Sequence, residues 1–382
     1  MRFIHTSDWH LGKIFHRMHL TNDQEIVLEG LKDILRAERP DALIISGDIY
    51  DRAIPPVEAV DLFSNFTQDI LMETGIPIIA IAGNHDSPDR IHYGSKLLAE
   101  ENLHIIGKSD KGYEKISLED EYGQVDFYVI PYADPGYIKY IYQMNHIKSH
   151  DDAFREITKK ILEEKTDNRS VIMAHAYVQG GNIHSESERP LSIGGTDIVS
   201  ADHFKHFNYA ALGHLHAPQR AGEDYIRYSG SLMKYSTSEA TQKKCVYMVE
   251  LDEDGQINYD EVVITPPKDV RIVKGLLEDV IEAGRSDENS HDYIRAIIED
   301  EGALLDPMEK IRAVYPNAIA MERTFLQKQK EQDRNLAVNY ENYNKMSISS
   351  LFEDFYGHVT GSEFTEDHKK VFEDITKGLE RG

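Results

Sequence analysis

Basic residues are scarce in this sequence. Its 42 Lys and Arg stand against 67 Asp and Glu, a formal net charge of −25. An acidic chain repels nucleic acid over long range, which taken alone argues against a DNA-binding protein. Acids that bind cations, or a basic partner, would soften that objection locally. Cysteine is almost absent. Cys245 is the single one, so no disulfide can form within the chain and a cytoplasmic location is the default expectation. No apolar run approaches the ~20 residues that span a bilayer. The opening "MRFIHTSD" has no extended apolar stretch of the kind a signal peptide carries. No membrane partner is therefore expected. Internal repeats and low-complexity tracts are missing as well.

What is present is a chain of 382 residues, 40% hydrophobic and 29% charged, which is enough for two or three domains with real cores. Over residues 1–265, short apolar runs bounded by Gly, Asp, Asn or Pro alternate with helical patterns. The expected strands are Arg2–His5, Ala42–Ser46, Ile76–Ala82, His104–Ile106, Val125–Ile130, Ser170–Ala174, Tyr209–Leu212 and Cys245–Glu250. Thr21–Arg39, Pro56–Thr74 and Asp151–Lys165 are expected helices. Alternation of this kind indicates an α/β domain with buried sheets.

"TPPKDV" at 265–270 is read as a linker, because tandem prolines end regular structure. A small αβ pattern follows over 268–324, then a polar linker at 325–345, then two short amphipathic helices within 346–382. Ser349 or Ser350 is the expected cap of the first, which carries Leu351, Phe352 and Phe355. Thr365, with Asp367 or His368, opens the second, which carries Val371, Phe372, Ile375 and Leu379. Such helices either dock on another surface or pack back on their own domain, and the pattern alone does not separate the two.

The chemistry is concentrated where the apolar runs stop. "HTSDWHLG" places Asp8 and His10 just past the first strand. Asp48 follows "ALIIS", Asn84 and His85 follow "IPIIAIA", His175 follows "SVIMA", and His214 and His216 follow "YAAL". Five strands thus each release oxygen or nitrogen donors at their carboxyl ends, where α/β sheets place ligand sites. Asp-x-His and His-x-His would put alternate residues on one side of an extended segment. By the same alternation Trp9 points away from Asp8 and His10, which favours packing over base stacking. Gly47, Gly83 and Gly213 permit tight turns directly after strands.

Singly, each piece has a bland explanation. "GNHD" is turn chemistry, and a lone histidine is more often structural than a ligand. Taken in this order after apolar strands, Asp8, His10, Asp48, Asn84, His175, His214 and His216 form a metal-ligand set. With no thiolate among them, structural zinc is disfavoured. Mixed imidazole and carboxylate donors suit Mn²⁺ foremost, with Fe²⁺, Mg²⁺ and Zn²⁺ as alternatives. Two ions about 3.5–4 Å apart can generate a hydroxide and stabilise the charge of an in-line displacement at phosphorus.

This pattern of D-x-H, GD, GNH-D, H and G-H-x-H resembles the calcineurin-like metallophosphoesterases. The resemblance implies a double-sheet, four-layer αββα sandwich with a two-metal site at its edge. It also implies that Asp8, His10, Asp48 and His216 hold one ion, and that Asp48, Asn84, His175 and His214 hold the other, with Asp48 bridging. His85 would then be a catalytic residue facing the substrate phosphate rather than a ligand. Asp51, three residues past Asp48, is a candidate to orient His85, with a helix cap as its alternative role.

"SDWHLGK", "GDIYDRA", "AGNHDSP", "LGHLHAPQ" and "ERPLSIGGTDIV" further resemble the SbcD family, bacterial relatives of the Mre-type DNA repair nucleases. That resemblance implies a small αβ capping domain and a C-terminal helical segment that binds the coiled-coil base of an SbcC-type ABC ATPase. It implies a nucleoid-associated homodimer that acts on DNA as a 3′→5′ exonuclease and a single-strand or hairpin endonuclease in repair and recombination. Candidate DNA contacts are Lys13–Arg17, Arg52, Arg90–His92 and the loop 179–195. The rival reading is another enzyme of the superfamily, a protein phosphatase, nucleotidase or cyclic-nucleotide phosphodiesterase. A non-catalytic scaffold would be expected to have lost ligands, and here every position is filled.

Overall fold

The computed structural model describes residues 1–183, 188, 197–324, 348–360 and 362–379. The linker expected at 325–345 and most of the loop 179–195 lie outside the described residues. The chain divides into two compact units, Met1–Pro267 and Lys268–Gly382.

The first unit is built on two six-stranded sheets. One runs in the order Ile257–Val263, Cys245–Leu251, Arg2–Thr6, Ala42–Ile45, Ile78–Ile81, Leu103–Ile106, with its last four strands parallel. The other runs Gln219–Ala221, Glu223–Tyr228, Tyr209–Gly213, Arg169–His175, Gly123–Ile130, Glu114–Asp120. Strict alternation decides which residues lie between them. Phe3, Ala42, Ile44, Ile79 and Ile81 from one sheet cluster with Phe127, Val129, Val171, Met173, Tyr209 and Ala211 from the other. The opposite face of the second sheet, with Tyr128, Ile130, Ile172, Ala174 and Leu212, packs on Ile138, Phe154, Ile157 and Ile161 of helices Pro135–Tyr142 and His150–Glu164. Helices Thr21–Glu38 and Val57–Thr74 bury Val27, Leu28, Leu31 and Leu35, and Phe63, Phe66 and Ile70, the stripe spacing of an amphipathic helix.

Helix ends follow local chemistry. Ser149 and Asp152 form a reciprocal capping box at the start of His150–Glu164. Val57–Thr74 stops at Gly75, whose φ of 70° is the left-handed conformation of a helix C-cap.

The five donor-bearing strands are divided between the sheets. Arg2–Thr6, Ala42–Ile45 and Ile78–Ile81 are parallel neighbours in one, with Thr6 opposite Ile45 and Ile45 opposite Ala80. Arg169–His175 and Tyr209–Gly213 are parallel neighbours in the other, with His175 opposite Gly213. Both sets therefore end level. At that end polar groups tie the sheets together. Ser46 Oγ donates to the Ala211 carbonyl at 3.1 Å, and the His5 ring bridges Tyr209 Oη at 3.0 Å and the Leu212 carbonyl at 3.2 Å.

Strands Glu114–Asp120 and Ile257–Val263 carry no continuous apolar run, which is why the sequence pattern misses them. Each is an outermost or solvent-facing strand with alternating exposure.

The second unit contains a three-stranded parallel sheet, Val270–Gly275, Tyr293–Ile298 and Ala318–Arg323, with helices Leu277–Arg285 and Pro307–Arg312. Leu277, Val280, Ile294, Ala296, Ile298, Ile311 and Tyr315 form its core. Helices Ile348–Thr360 and Glu366–Leu379 belong to the same unit. Phe352 stacks on Phe372 with ring centroids 4.1 Å apart and meets Phe364 edge-on. Ser349 and Ser350 fall inside the first helix, which begins at Ile348, so neither is its cap. At the second helix it is His368 that pairs with Thr365, the Thr365 N–H donating to His368 Nδ1 at 3.3 Å and the His368 N–H facing Thr365 Oγ1 at 3.5 Å.

Phe127 is fully buried between the sheets, edge-on to Phe3 at 5.7 Å. Phe127→Ala is expected to destabilise the first unit by about 3–5 kcal/mol. Urea unfolding followed by the fluorescence of Trp9, the sole tryptophan, measures it.

Candidate metal centre

The backbone at the strand ends is unusual. Asp8, His10, Asp48 and His214 have φ of 53°, 45°, 53° and 108°. These are left-handed values that non-glycine residues seldom adopt, at a cost of about 1–3 kcal/mol each. The segments after the strands are thus tight turns rather than extended continuations. Trp9 does pack, buried against Phe63 and Phe66 with its Nε1–H donated to Thr6 Oγ1 at 2.9 Å. Its direction is set by these turns and not by strand alternation.

Gln24, on the helix Thr21–Glu38, holds the first turn. Its Oε1 accepts from the Gly12 N–H at 2.9 Å and its Nε2 donates to the His10 carbonyl at 2.8 Å. Tyr235 Oη donates to the Trp9 carbonyl. Two glycines are there for lack of space. A Cβ on Gly83 would lie 2.1 Å from Asp48 Oδ1, and one on Gly213 would lie 1.9 Å from the Ser46 carbonyl oxygen.

Around Asp48 the donors converge. Its Oδ1 accepts from the His85 N–H at 2.9 Å. Its Oδ2 lies 3.5 Å from His175 Nε2, 3.7 Å from His10 Nε2 and 4.0 Å from His85 Nε2. His10 Nε2 and His216 Nε2 are 3.1 Å apart, and Asn84 Oδ1 is 2.9 Å from His175 Nε2. Asp8 accepts from Ser7 Oγ at 2.6 Å and from the His214 N–H at 3.0 Å. Nearly all of this is buried.

Ligand atoms of Asp8, His10 and His216, and of Asp8, Asp48 and His175, lie within 4.8 Å of one another. Asp51, His10 and His85 form a third such group. The His214 ring packs edge-on to His175, with centroids 5.5 Å apart, and belongs to none of the three. His85 Nδ1 donates to the Asp51 main-chain carbonyl at 2.7 Å, while the Asp51 carboxylate accepts from Lys13 Nζ at 2.7 Å. Asp51 therefore contacts His85 through its backbone.

The donor set suits divalent cations. His175 Nδ1 donates to the Ser46 carbonyl at 2.9 Å, and His216 Nδ1 faces Glu239 Oε1 at 3.1 Å. Each ring thus turns Nε2 inward, toward two buried carboxylates, which is the arrangement imidazole ligands need. Electrostatics agree. Burial opposes ionisation of Asp48, but His175, His10 and His85 outweigh it and hold its carboxyl well below the usual range. Burial raises the Asp8 carboxyl despite His175 and His216. Burial and the neighbouring His175 lower His214 to about 3.

Sequence reasoning missed several supporting residues. Asp86, read only as a turn former in "GNHD", accepts from the N–H groups of Gly83, Tyr50 and Ile49 and so welds two donor loops together. Burial and the Asp48 charge raise its carboxyl to about 7. Glu239 and Lys244, from "SEATQKKC", form a buried ion pair at 2.7 Å beside His216. The Glu188 carboxylate accepts from the His216 N–H at 2.8 Å. Only Gln24 carried a signal, a polar residue on the buried face of a helix.

Residues 1–218 match the family model described as calcineurin-like phosphoesterase, and residues 266–360 match that of the type 5 capsule protein repressor C-terminal domain. The chain is 32% identical to the SbcD subunit of nuclease SbcCD from Staphylococcus saprophyticus subsp. saprophyticus, over 99% of this chain and 98% of that protein. It is 30% identical to the same-named protein of Staphylococcus epidermidis, over 96% and 95%. No helix among the described residues is long and apolar enough to cross a membrane.

The His175 imidazolium is raised from 6.5 to about 9. Burial opposes its charge, and Asp48, Asp8 and the Ser46 carbonyl prevail. A raised histidine stabilises the folded state fully below 6.5, and the contribution is lost as pH rises through about 9. Chelator-treated protein should therefore lose stability over that window in urea titrations, and His175→Gln should flatten the dependence.

Proposed function

The chain belongs to the calcineurin-like phosphoesterases and, over nearly its whole length, to the SbcD nuclease subunits, and from that premise we propose how it cleaves DNA. It is a metal-dependent phosphodiesterase and a DNA nuclease subunit. In our reading Asp8, His10, Asp48 and His216 hold one divalent ion, and Asp48, Asn84, His175 and His214 hold the second, with Mn²⁺ as the native metal. The observation that carries this is the convergence of the Nε2 atoms of His10 and His175 on Asp48, with His216 Nε2 beside that of His10 and grouped with Asp8. When bound, such ions supply a strong nucleophile from water and neutralise charge at phosphorus.

His85 is the catalytic residue that is not a ligand. Because Nδ1 donates to the Asp51 carbonyl, only Nε2 is free to serve the substrate. Protonated there, it can donate to a phosphate oxygen or to the leaving oxygen. Asp51 fixes that ring through its carbonyl, and its carboxylate anchors Lys13 beside the site. Lys13, Arg52 and Arg90 are the cations we assign to DNA phosphates. With a net charge of −25, long-range attraction to DNA falls to a partner. We assign that role to an SbcC-type ATPase, docked on helices Ile348–Thr360 and Glu366–Leu379, where Phe355, Val359, Val371 and Ile375 are exposed. The complex would act as a 3′→5′ exonuclease on duplex ends and an endonuclease on single strands and hairpins.

A homodimer belongs to the same reading. Val60 and Met72 on one helix, together with Tyr93, are exposed and line a groove of about 1120 Å³ with Phe63, Leu71 and Leu103. Light scattering should report a dimer for the wild type and a monomer for Met72→Glu/Tyr93→Glu.

The nuclease reading is tested with end-labelled duplex and hairpin DNA, with and without the ATPase. Wild type should cleave in Mn²⁺, and Asp8→Ala should not. His85→Ala should keep its bound Mn²⁺ yet turn over about 10²–10⁴-fold more slowly. Loss of Mn²⁺ from His85→Ala would make that residue a ligand. Hydrolysis of phosphoprotein or free nucleotides with DNA left intact would replace the nuclease by another phosphoesterase.

A further inference from the structure

His216 is held at its N–H, its carbonyl and its Nδ1, while its Nε2 faces Asp8 and His10. Its N–H donates to Glu188 Oε1 at 2.8 Å. Its carbonyl accepts from the Ser231 N–H at 3.1 Å and from Lys244 Nζ at 2.8 Å. Its Nδ1 faces Glu239 Oε1 at 3.1 Å. Glu239 and Lys244 make one fully buried unit. Lys244 Nζ donates to Glu239 Oε2 at 2.7 Å, Gln242 Oε1 at 2.7 Å and Ser231 Oγ at 2.9 Å, and Glu239 Oε2 also accepts from the Tyr235 N–H at 3.2 Å. The Glu239 side chain is 0% exposed and that of Lys244 is 1%.

Burying two charges is costly, and apolar residues of similar volume serve stability equally well or better. A purely structural purpose is therefore a weak account of the pair. Its geometry gives a better one. A carboxylate can only accept, so it fixes the proton of His216 on Nδ1 and the lone pair on Nε2. It also fixes the rotation of the ring. Lys244 neutralises that carboxylate and, through the His216 carbonyl, ties the backbone of the same residue to it.

We propose that Glu239 and Lys244 are positioning residues for the first ion, a buried salt bridge that presets the tautomer and orientation of His216. The proposal rests on the two-metal reading above. Carboxylates behind histidine ligands typically set about 10–100-fold in metal affinity, so the effect should fall on one ion only.

Calorimetric titration of the metal-free full chain with Mn²⁺ tests this. Wild type should bind two ions. Glu239→Gln should weaken one about 10–100-fold and leave the other unchanged, and Glu239→Asp should recover part of the loss. Co²⁺ in place of Mn²⁺ adds a spectroscopic signature, since a reoriented imidazole shifts the visible absorption whereas a merely looser fold does not. The double variant Glu239→Leu/Lys244→Met removes the buried charges together and keeps the volume filled. It should unfold no earlier than wild type and still show the weakened ion. Unchanged Mn²⁺ affinity in a folded Glu239→Gln or double variant overturns the proposal, as does equal weakening of both ions. Fewer than two ions in wild type would instead sink the two-metal reading beneath it.

Discussion

Asp48 is a carboxylate with almost no access to water, at the place where two β-sheets end. An ionised group in that position is tolerable only if positive charge or hydrogen-bond donors surround it. The loops that close over it supply them. His85 brings a backbone N–H, His175 and His10 bring ring nitrogens, and the loop bearing Gly83 comes so close that a methyl group would not fit. Level strand ends, glycine contacts and polar ties between the sheets through Ser46 and His5 all answer to that one buried charge.

The seven donors of the proposed site stand out in the sequence because each follows a short apolar run, and apolar runs read clearly as buried strands. What the pattern could not supply was how those strands divide. Three lie in one sheet and two in the other, a matter of long-range pairing that local sequence does not encode. The direction of Trp9 came out correctly for a wrong reason, since left-handed turns at Asp8 and His10 displace the alternation argument. Glu114–Asp120 and Ile257–Val263 escaped because half of each strand faces water. Glu239 and Lys244 had no local signature. Charged residues in a polar stretch read as surface, and only tertiary packing turns these two inward.

The two units divide the physical work. The first holds the buried donors and the hydrogen bonds that orient them. The second keeps an aromatic cluster of Phe352, Phe364 and Phe372 inside a helical pair while exposing Phe355, Val371 and Ile375. A strongly acidic chain with exposed apolar residues on these two helices is consistent with the proposed division, in which attraction to DNA falls to a partner.

The left-handed backbone at Asp8, His10, Asp48 and His214 also shapes which hereditary changes the chain can survive. Asparagine tolerates that conformation nearly as well as aspartate, whereas β-branched side chains do not. A single-step change from Asp to Asn at 8 or 48 should thus leave an intact fold with a poorer grip on cations. A change to valine at the same codon should break the turn itself. Loss of activity and loss of structure are therefore separable lineages at one position, and a relative descending by the first would keep this architecture long after its chemistry had gone.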